Sequence, residues 1–186
     1  MSDLIKANQL FNPQKLWKRD EALKRGDGVP RENGIYAWYF KKVPKNVPCK
    51  ACIKLNDFTL LYLGIAPVGE LSNNTIRSRL RSHFKGNASS STLRLSLGCL
   101  LAIELNLKLQ KTGRTERLTF GVGENALTEW MNENCRITWM LHEAPWEIEN
   151  KLLLKAYFPL NIKGNSRNTY GSALSELRNN FKKMAK

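Results

Sequence analysis

Glu149 is the residue whose sequence surroundings point most directly to chemistry. Residues Pro145 to Phe158 show the apolar periodicity of a helix that turns by about 100° per residue. Such a helix places Glu149 on an apolar stripe formed by Trp146, Leu152, Leu153, Ala156 and Tyr157. A carboxylate there loses several kcal/mol of hydration unless a cation, a proton or hydrogen bonds compensate it. We therefore expect Glu149 to bind a cation, to form a structural ion pair, or to lie partly exposed at the edge of the stripe.

Arg79 and His83 form a second pair with chemical potential. Residues 75 to 85 predict a helix with a buried stripe of Ile76, Leu80 and Phe84, and Arg79 and His83 lie one turn apart on one flank. The planar fork of an arginine can hold a phosphate oxygen while negative charge grows in a transition state. His83 can hydrogen-bond a phosphate or transfer a proton near neutral pH. This flank is expected to face a reaction centre.

Tyr36 and Tyr62 occur in two predicted strands. Gly34 to Phe40 and Thr59 to Ile65 are rich in aromatic and branched residues and are bounded by turn-forming residues. Strand alternation can place both hydroxyls on one face of a sheet if the register allows it. A phenol with an ordinary pKa of about 10 is a poor base at neutral pH. Nearby cations would be needed to lower that pKa.

The charge of the chain suits a polyanionic partner. Lysine and arginine total 30 against 16 aspartate and glutamate, so the formal net charge is +14. No acidic residue occurs from Leu71 to Ile103, and a second basic cluster ends the chain. The candidate nucleic-acid-binding residues are Arg77, Arg81, Lys85, Asn87 and Arg94. The alternatives are a solubilising surface or an anionic membrane contact, but no long basic amphipathic helix supports the membrane alternative.

Length and hydropathy predict one domain over residues 1–186 with a single core. No apolar run approaches the roughly 18 residues that span a bilayer, and the first residues lack the apolar core of a secretion signal. We therefore expect a cytoplasmic protein with no membrane contact. In that compartment its cysteines are expected to be reduced. They are Cys49, Cys52, Cys99 and Cys135.

Further elements follow from periodicity and from helix-capping residues. An N-terminal helix is predicted over residues 12–25, with Asn12 as its cap and Gly26 as its stop. Residues 136–142 predict a third strand, and helices are predicted over residues 92–105, 124–134 and 171–184. The segments 41–58 and 108–123 carry no clear assignment.

Several of these residues, taken in order, resemble the GIY-YIG nuclease superfamily. The tripeptides Gly34-Ile35-Tyr36 and Tyr62-Leu63-Gly64 are followed by the pair Arg79 and His83, by Glu149, and by Asn161 after a proline. The resemblance covers a core of about residues 34–161. It implies an α/β (α+β) fold in which helices flank a small antiparallel three-stranded sheet, with helical additions at both ends. Many relatives carry a basic residue directly after the second tripeptide, whereas this chain has Ile65, and Arg77 is a candidate substitute.

The resemblance also implies metal-dependent hydrolysis of phosphodiester bonds. We expect one Mg²⁺ or Mn²⁺ ion on Glu149, where it would stabilise the leaving oxygen. Tyr36 would take a proton from the attacking water with Tyr62 hydrogen-bonded beside it, or the two tyrosines would exchange roles. Asn161 would either fix the end of the glutamate's helix or touch the phosphate.

The expected partner is DNA, with the double-stranded form favoured and the single-stranded form possible. One metal site cuts one strand, so a double-strand break needs two events or a homodimer. The chain resembles compact members of the superfamily, including restriction-type enzymes, and a mobile-element endonuclease is an equivalent expectation. Residues 41–58 and 86–94 are the candidate recognition segments. Two alternatives are a catalytically inactive nucleic-acid-binding module on the same scaffold, and a structural or regulatory protein whose charge is incidental.

Overall fold

A four-stranded antiparallel sheet organises the protein, which a computed structural model describes over residues 7–186. The strands in this range are β1 (Gly34–Phe40), β2 (Lys54–Leu55), β3 (Phe58–Ala66), β4 (Gln110–Thr112), β5 (Arg117–Thr119) and β6 (Cys135–Leu141). The sheet order is β2-β3-β1-β6, and β4 pairs with β5 in a separate hairpin. The fold is mixed α/β as expected, but the expectation of three strands is wrong because β2 adds a fourth. A strand of two residues is too short for periodicity to reveal.

The helices within residues 7–186 are α1 (Asn8–Phe11), α2 (Arg19–Ala22), α3 (Ile76–Lys85), α4 (Thr92–Leu100), α5 (Gly123–Asn134), α6 (Pro145–Leu153) and α7 (Gly171–Met184). No helix in that range is both long and apolar enough to cross a bilayer. Of the helix expected over residues 12–25, only Arg19–Ala22 is α-helical, so the predicted extent is wrong. Trp17 instead has extended backbone and exchanges hydrogen bonds of 2.8 and 3.0 Å with Ile137 at the edge of the sheet. This long-range pairing outweighs the local helix signals.

Hydrophobic side chains cover both faces of the sheet. On one face, the predicted stripe of Ile76, Leu80 and Phe84 on α3 is fully buried against the core that contains Trp38. On the other face, α6 packs its apolar side chains, Ile148, Leu152 and Leu153, against the core that contains Ile35. Strand β1 lies between β3 and β6 and is buried along its whole length. Residues on β1 are therefore held rigidly from every side.

The helix that carries Glu149 is shorter than expected. It ends at Leu153, with Leu154 as its C-cap, instead of continuing to Phe158. The following residues turn back toward the sheet, where the backbone N–H of Leu160 donates to the carbonyl of Leu61 at 3.1 Å. This contact lies on the edge of β3 that faces away from β1. Among residues 7–186, only the two-residue strand β2 pairs with that edge, at Phe58 and Thr59.

Candidate active site

The two tyrosines lie on the same face of the sheet. Tyr36 on β1 is directly opposite Gly64 on β3, and Trp38 is directly opposite Tyr62. Because residues two apart in a strand share a face, this register places the Tyr36 and Tyr62 side chains together, as the alternation allowed. A register shift between Trp38 and Tyr39 marks a bulge beside this pair, a feature that often re-aims side chains near active sites.

Gly64 makes room for the ring of Tyr36. A Cβ atom added at Gly64 would lie 2.5 Å from both Cζ and the hydroxyl oxygen of Tyr36. No real Cβ atom tolerates such a contact, so the glycine of the second tripeptide is required by the tyrosine of the first. Gly34 has a comparable role, because an added Cβ would lie 2.4 Å from the carbonyl oxygen of Met140 on β6.

These tyrosines line one wall of a cavity of about 650 Å³ at the exposed side of β3. The residues around it come from the sheet, from α3, α4, α6 and α7, and from the loop after α6. The polar members that bear on chemistry are Tyr36, Tyr62, Arg79, Glu149, Lys163 and Arg178. Asn161 lines the cavity as well, so five of the six predicted catalytic residues meet there, together with the basic residues Lys163 and Arg178, which were not predicted.

A chain of short hydrogen bonds runs inward from Tyr36. Its hydroxyl lies 2.7 Å from Nε2 of His83, and Nδ1 of His83 lies 2.6 Å from Oγ of Ser91. Ser91 is the N-cap of α4, and its Oγ also accepts a hydrogen bond from the backbone N–H of Arg94. His83 is fully buried, so it contacts Tyr36 and cannot itself reach a phosphate in the cavity. Of its two predicted roles, this geometry favours proton transfer.

Burial controls the protonation of these groups. Desolvation raises the pKa of Tyr36 well above its ordinary value, the nearby Tyr62 adds to that rise, and Arg79 opposes it. Desolvation likewise raises the pKa of Tyr62. The pKa of His83 is lowered well below its ordinary value, first by burial and then by Arg79 and Arg94. Arg79 lowers the pKa of both tyrosines, as expected for a nearby cation, but burial outweighs this one cation. Burial therefore favours a neutral phenol at Tyr36 beside a neutral imidazole at His83.

Glu149 is partly buried at the cavity, an intermediate exposure that fits both a cation-binding carboxylate and a partly exposed residue at the edge of the stripe. Desolvation raises the pKa of its carboxyl, and Lys163 is the cation that opposes this rise. Its charge in turn raises the pKa of both tyrosines, so the three groups interact electrostatically. The salt bridges and hydrogen bonds within residues 7–186 leave the Glu149 carboxylate without a partner. A desolvated carboxylate with no ion pair is a donor suited to a hard divalent cation.

Asn161 is a positioning residue. Its side-chain Oδ1 accepts the backbone N–H of Leu63 at 2.8 Å, and its Nδ2 donates to the carbonyl of the same residue at 2.7 Å. The amide thus takes the place of a neighbouring strand along β3, between Tyr62 and Gly64. These two bonds fix the segment after Glu149 to the sheet. Asn161 also lines the cavity, so a contact with the phosphate stays a prediction.

Arg79 projects from α3 into the cavity, where its guanidinium interacts with the Tyr36 hydroxyl. Its Nε is buried and has no partner within residues 7–186, and one terminal nitrogen makes a long bond of 3.4 Å to the carbonyl of Ser90. A buried donor without a partner is costly. An anion in the cavity would satisfy it.

Arg94 is a structural residue, and its predicted role in nucleic-acid binding is wrong. Its side chain is fully buried and bonds the Glu124 carboxylate at 2.6 Å. It also donates to the carbonyls of His83 and Phe84 and to the hydroxyl of Thr128. The Arg94 side chain therefore holds the end of α3 against α5, which fixes His83 in place.

Arg77 also has a structural role in place of the predicted contact with DNA. Its guanidinium donates to the carbonyls of Leu23, Lys24 and Val29 at 2.7 to 3.1 Å, so it ties α3 to the N-terminal segment. Neither a DNA contact nor a substitute for the residue replaced by Ile65 fits this geometry. By contrast, Arg81 and Lys85 are exposed on α3.

Asn87 stabilises its own loop. Its Oδ1 accepts the backbone N–H of Ser90 at 3.0 Å, and its backbone N–H donates to Ser90 Oγ. The remaining expectation, that this loop contacts DNA, stays a prediction.

Three residues of the site escaped the sequence analysis. Ser91 lies in a run of serines, where nothing distinguishes the one that bonds a histidine. Lys163 and Arg178 follow Glu149 in loops and in a helix that carry no motif. The apolar stripe of α7 was a usable signal for Arg178, which lies one turn after the buried Leu174.

The fold and the cavity define a mixed α/β domain with a site suited to a phosphate ester. Comparison with known families agrees, because the model of the GIY-YIG catalytic domain matches residues 34–180. The chain belongs to the GIY-YIG family, whose catalytic domain implies nuclease activity on a nucleic acid. Comparisons with curated proteins and with solved structures gave no significant match.

Proposed function

We propose that this protein is a metal-dependent endonuclease that hydrolyses phosphodiester bonds in DNA. The observation that carries the proposal is the cavity itself, which gathers a desolvated carboxylate, a guanidinium and two tyrosines. These are the groups needed to hold a metal, to hold a phosphate and to move a proton. The net charge of +14 supports binding to a polyanionic backbone.

Arg79 would hold the scissile phosphate. Its buried Nε has no partner among residues 7–186, so a phosphate oxygen would supply the missing hydrogen bond at little cost in reorganisation. Arginine stays charged while the phosphate gains negative charge, so the interaction strengthens toward the transition state. Exposed Arg81 and Lys85, on the other flank of α3, would contact the DNA backbone on either side.

Tyr36 and His83 would move the proton of the attacking water. As the water oxygen bonds to phosphorus, its proton passes to the hydroxyl of Tyr36, and the tyrosine's own proton passes to Nε2 of His83 over the observed 2.7 Å contact. This route requires the tautomer in which Nδ1 donates to Ser91 Oγ, whose two lone pairs can accept from His83 and from the Arg94 backbone. Burial disfavours both a phenolate at Tyr36 and an imidazolium at His83, so the two proton transfers would occur together with the attack on phosphorus, without a standing charged base. Tyr62 would orient the water or the phosphate beside it.

Glu149 would hold a single Mg²⁺ or Mn²⁺ ion. Within residues 7–186 no group of three metal-ligating side chains occurs, which suits an ion that keeps most of its water and shares substrate oxygens. When bound, the ion would stabilise negative charge on the leaving oxygen. The ion would also supply a counter-charge to the partly buried Glu149 carboxylate.

The test is cleavage of supercoiled plasmid DNA with Mg²⁺ or Mn²⁺. We expect the wild type to produce nicked circles that chelation prevents. Glu149→Gln should slow nicking at least about 100-fold, because a metal ion contributes several kcal/mol to such a transition state. Glu147→Gln is the matched control, since Glu147 is exposed on the same helix.

Other outcomes assign other functions. A salt-sensitive gel shift without nicking by any variant would indicate an inactive binding module. The absence of both nicking and DNA affinity would make the positive charge incidental. If nicking occurs, cutting at one defined sequence would support the restriction-type role, and linear products from one encounter would support a homodimer.

A further inference from the structure

The C-terminal helix α7 carries an arginine that the catalytic tripeptides do not account for. Arg178 lines the cavity together with Tyr62, Arg79 and Glu149. It lies one turn after the buried Leu174, on the side of α7 whose apolar residues pack against the core. Its guanidinium is therefore fixed at the cavity wall and is not a freely solvated surface group.

The hydrogen bonding of Arg178 is incomplete in the same way as that of Arg79. The buried side-chain polar atoms without partners in residues 7–186 include the Nε of these two arginines, and both line the one cavity. The arginines with structural roles behave differently. Arg94 and Arg77 direct their guanidinium nitrogens at protein carbonyls and carboxylates. Two arginines with incomplete hydrogen bonding face the same cavity, which indicates that they share an anionic ligand.

Electrostatics agrees with this assignment. Burial lowers the pKa of Arg178, and the neighbouring Tyr62 and Cys99 oppose that change. No carboxylate within residues 7–186 forms a salt bridge with it. A desolvated guanidinium without a salt bridge costs free energy. An anion that binds it therefore gains more free energy than an anion that binds a solvated lysine.

The sheet provides no cation on this side. The residue after Tyr62-Leu63-Gly64 is Ile65, which is buried and lines the cavity with an apolar side chain. Arg79 approaches the cavity from α3, whereas Arg178 approaches it from α7. A phosphate held by two helices is constrained in orientation as well as in charge.

We propose that Arg178 is a second phosphate-binding residue of this site, holding the same phosphodiester group as Arg79 from the opposite helix. This inference rests on the proposed function, because it assigns Arg178 to the substrate of that reaction. It extends the site beyond the tripeptides and the glutamate, into the C-terminal helix.

The test compares Arg178→Gln and Arg178→Lys with Lys183→Gln, which removes a charge from an exposed position of the same helix. Single-turnover cleavage at saturating DNA should fall about 100-fold in Arg178→Gln and recover in part in Arg178→Lys, as for loss of one preorganised donor. Lys183→Gln should stay within about twofold, because exposed charges act weakly and are screened. A rate for Arg178→Gln equal to that of Lys183→Gln overturns the inference and leaves the nuclease function standing.

A second measurement does not depend on catalysis. Inorganic phosphate, added without metal, should raise the melting temperature of the wild type and Lys183→Gln more than that of Arg178→Gln. If the wild type proves inactive, the proposed function fails, and this titration alone decides the role of Arg178. Equal shifts in all three proteins overturn the inference. So does a phosphate-free melting temperature that is lower for Arg178→Gln than for Lys183→Gln, because it would show a structural role.

Discussion

The hydroxyl of Tyr36 lies 2.7 Å from Nε2 of His83, and that contact connects the cavity to the interior of the protein. Tyr39, on the same strand, has an equally short contact of 2.7 Å, but its hydroxyl donates to the carbonyl of Leu10 on the opposite face. Both phenols are buried and hydrogen-bonded. Only one of them faces Glu149 and Arg79 across a cavity, so the two residues separate a chemical role from a structural one.

Replacing Tyr36 with phenylalanine should lower the single-turnover rate by about 100-fold or more, because general acid–base groups contribute factors of this size. Tyr39→Phe removes a similar buried hydrogen bond and should lower the free energy of unfolding by about 1 kcal/mol while leaving the rate nearly unchanged. Rapid-quench cleavage and urea unfolding measure the two effects. Full activity in Tyr36→Phe would eliminate this residue as the proton acceptor.

The pH dependence of cleavage distinguishes a neutral relay from a phenolate base. The pKa of Tyr36 is raised and that of His83 is lowered, so neither group changes protonation between about pH 7 and 9. The single-turnover rate should therefore be nearly flat over that interval, measured at constant ionic strength. A tenfold rise per pH unit would indicate that an anionic base forms before the reaction.

On the acid side, activity should fall as Glu149 takes up a proton and loses its affinity for metal. Burial raises the pKa of this carboxyl, although Lys163 opposes the rise, so the loss should begin at a higher pH than for an exposed glutamate. Additional metal should shift the acid limb to lower pH, because metal and proton compete for the same oxygens.

Gly64→Ala should lower the cleavage rate strongly and have a smaller effect on the free energy of unfolding. The added methyl would collide with the Tyr36 ring and push its hydroxyl away from His83. Gly69→Ala is the matched control, since a Cβ there meets nothing within 4 Å. We expect a rate loss of about tenfold or more for Gly64→Ala, as for small misplacements of reacting groups, and none for Gly69→Ala. An active Gly64→Ala protein would show that the position of the Tyr36 ring is not critical.

Arg94→Met should destabilise the protein by about 3–5 kcal/mol, because it leaves the partly buried Glu124 carboxylate without its counter-charge. Lys111→Ala breaks an exposed pair with Glu116 and should cost less than about 1 kcal/mol. Urea unfolding at neutral pH measures both. If Arg94→Met kept its stability and instead lost DNA affinity, the structural assignment of Arg94 would be wrong.

Strands β1, β3 and β6 and helix α3 could be predicted from the sequence because their signals are local. Strand β1 begins and ends at the predicted residues, Gly34 and Phe40, and the stripe of Ile76, Leu80 and Phe84 is buried as its spacing required. The C-terminal helix likewise has the predicted bounds, Gly171–Met184. Periodicity and capping determine such elements without reference to the rest of the chain.

Features that depend on distant contacts could not be predicted. Trp17 is extended because it pairs with Ile137, and no pattern near Trp17 contains that information. The charge of Arg94 looked like part of a basic surface, yet its partner is Glu124, thirty residues later in the chain. Burial of Tyr36 outweighs nearby cations in setting its pKa, and the degree of burial emerges only when sheet and helices pack together.

Glu149 is expected to bind the divalent ion on which cleavage depends, and a Mn²⁺ titration measures that binding. Electron paramagnetic resonance should detect Mn²⁺ binding to the wild type and to Glu147→Gln in the presence of uncleavable DNA. The affinity should fall at least about tenfold in Glu149→Gln, in parallel with nicking. Equal Mn²⁺ affinity in Glu149→Gln and the wild type, with cleavage retained, would show that Glu149 does not hold the ion.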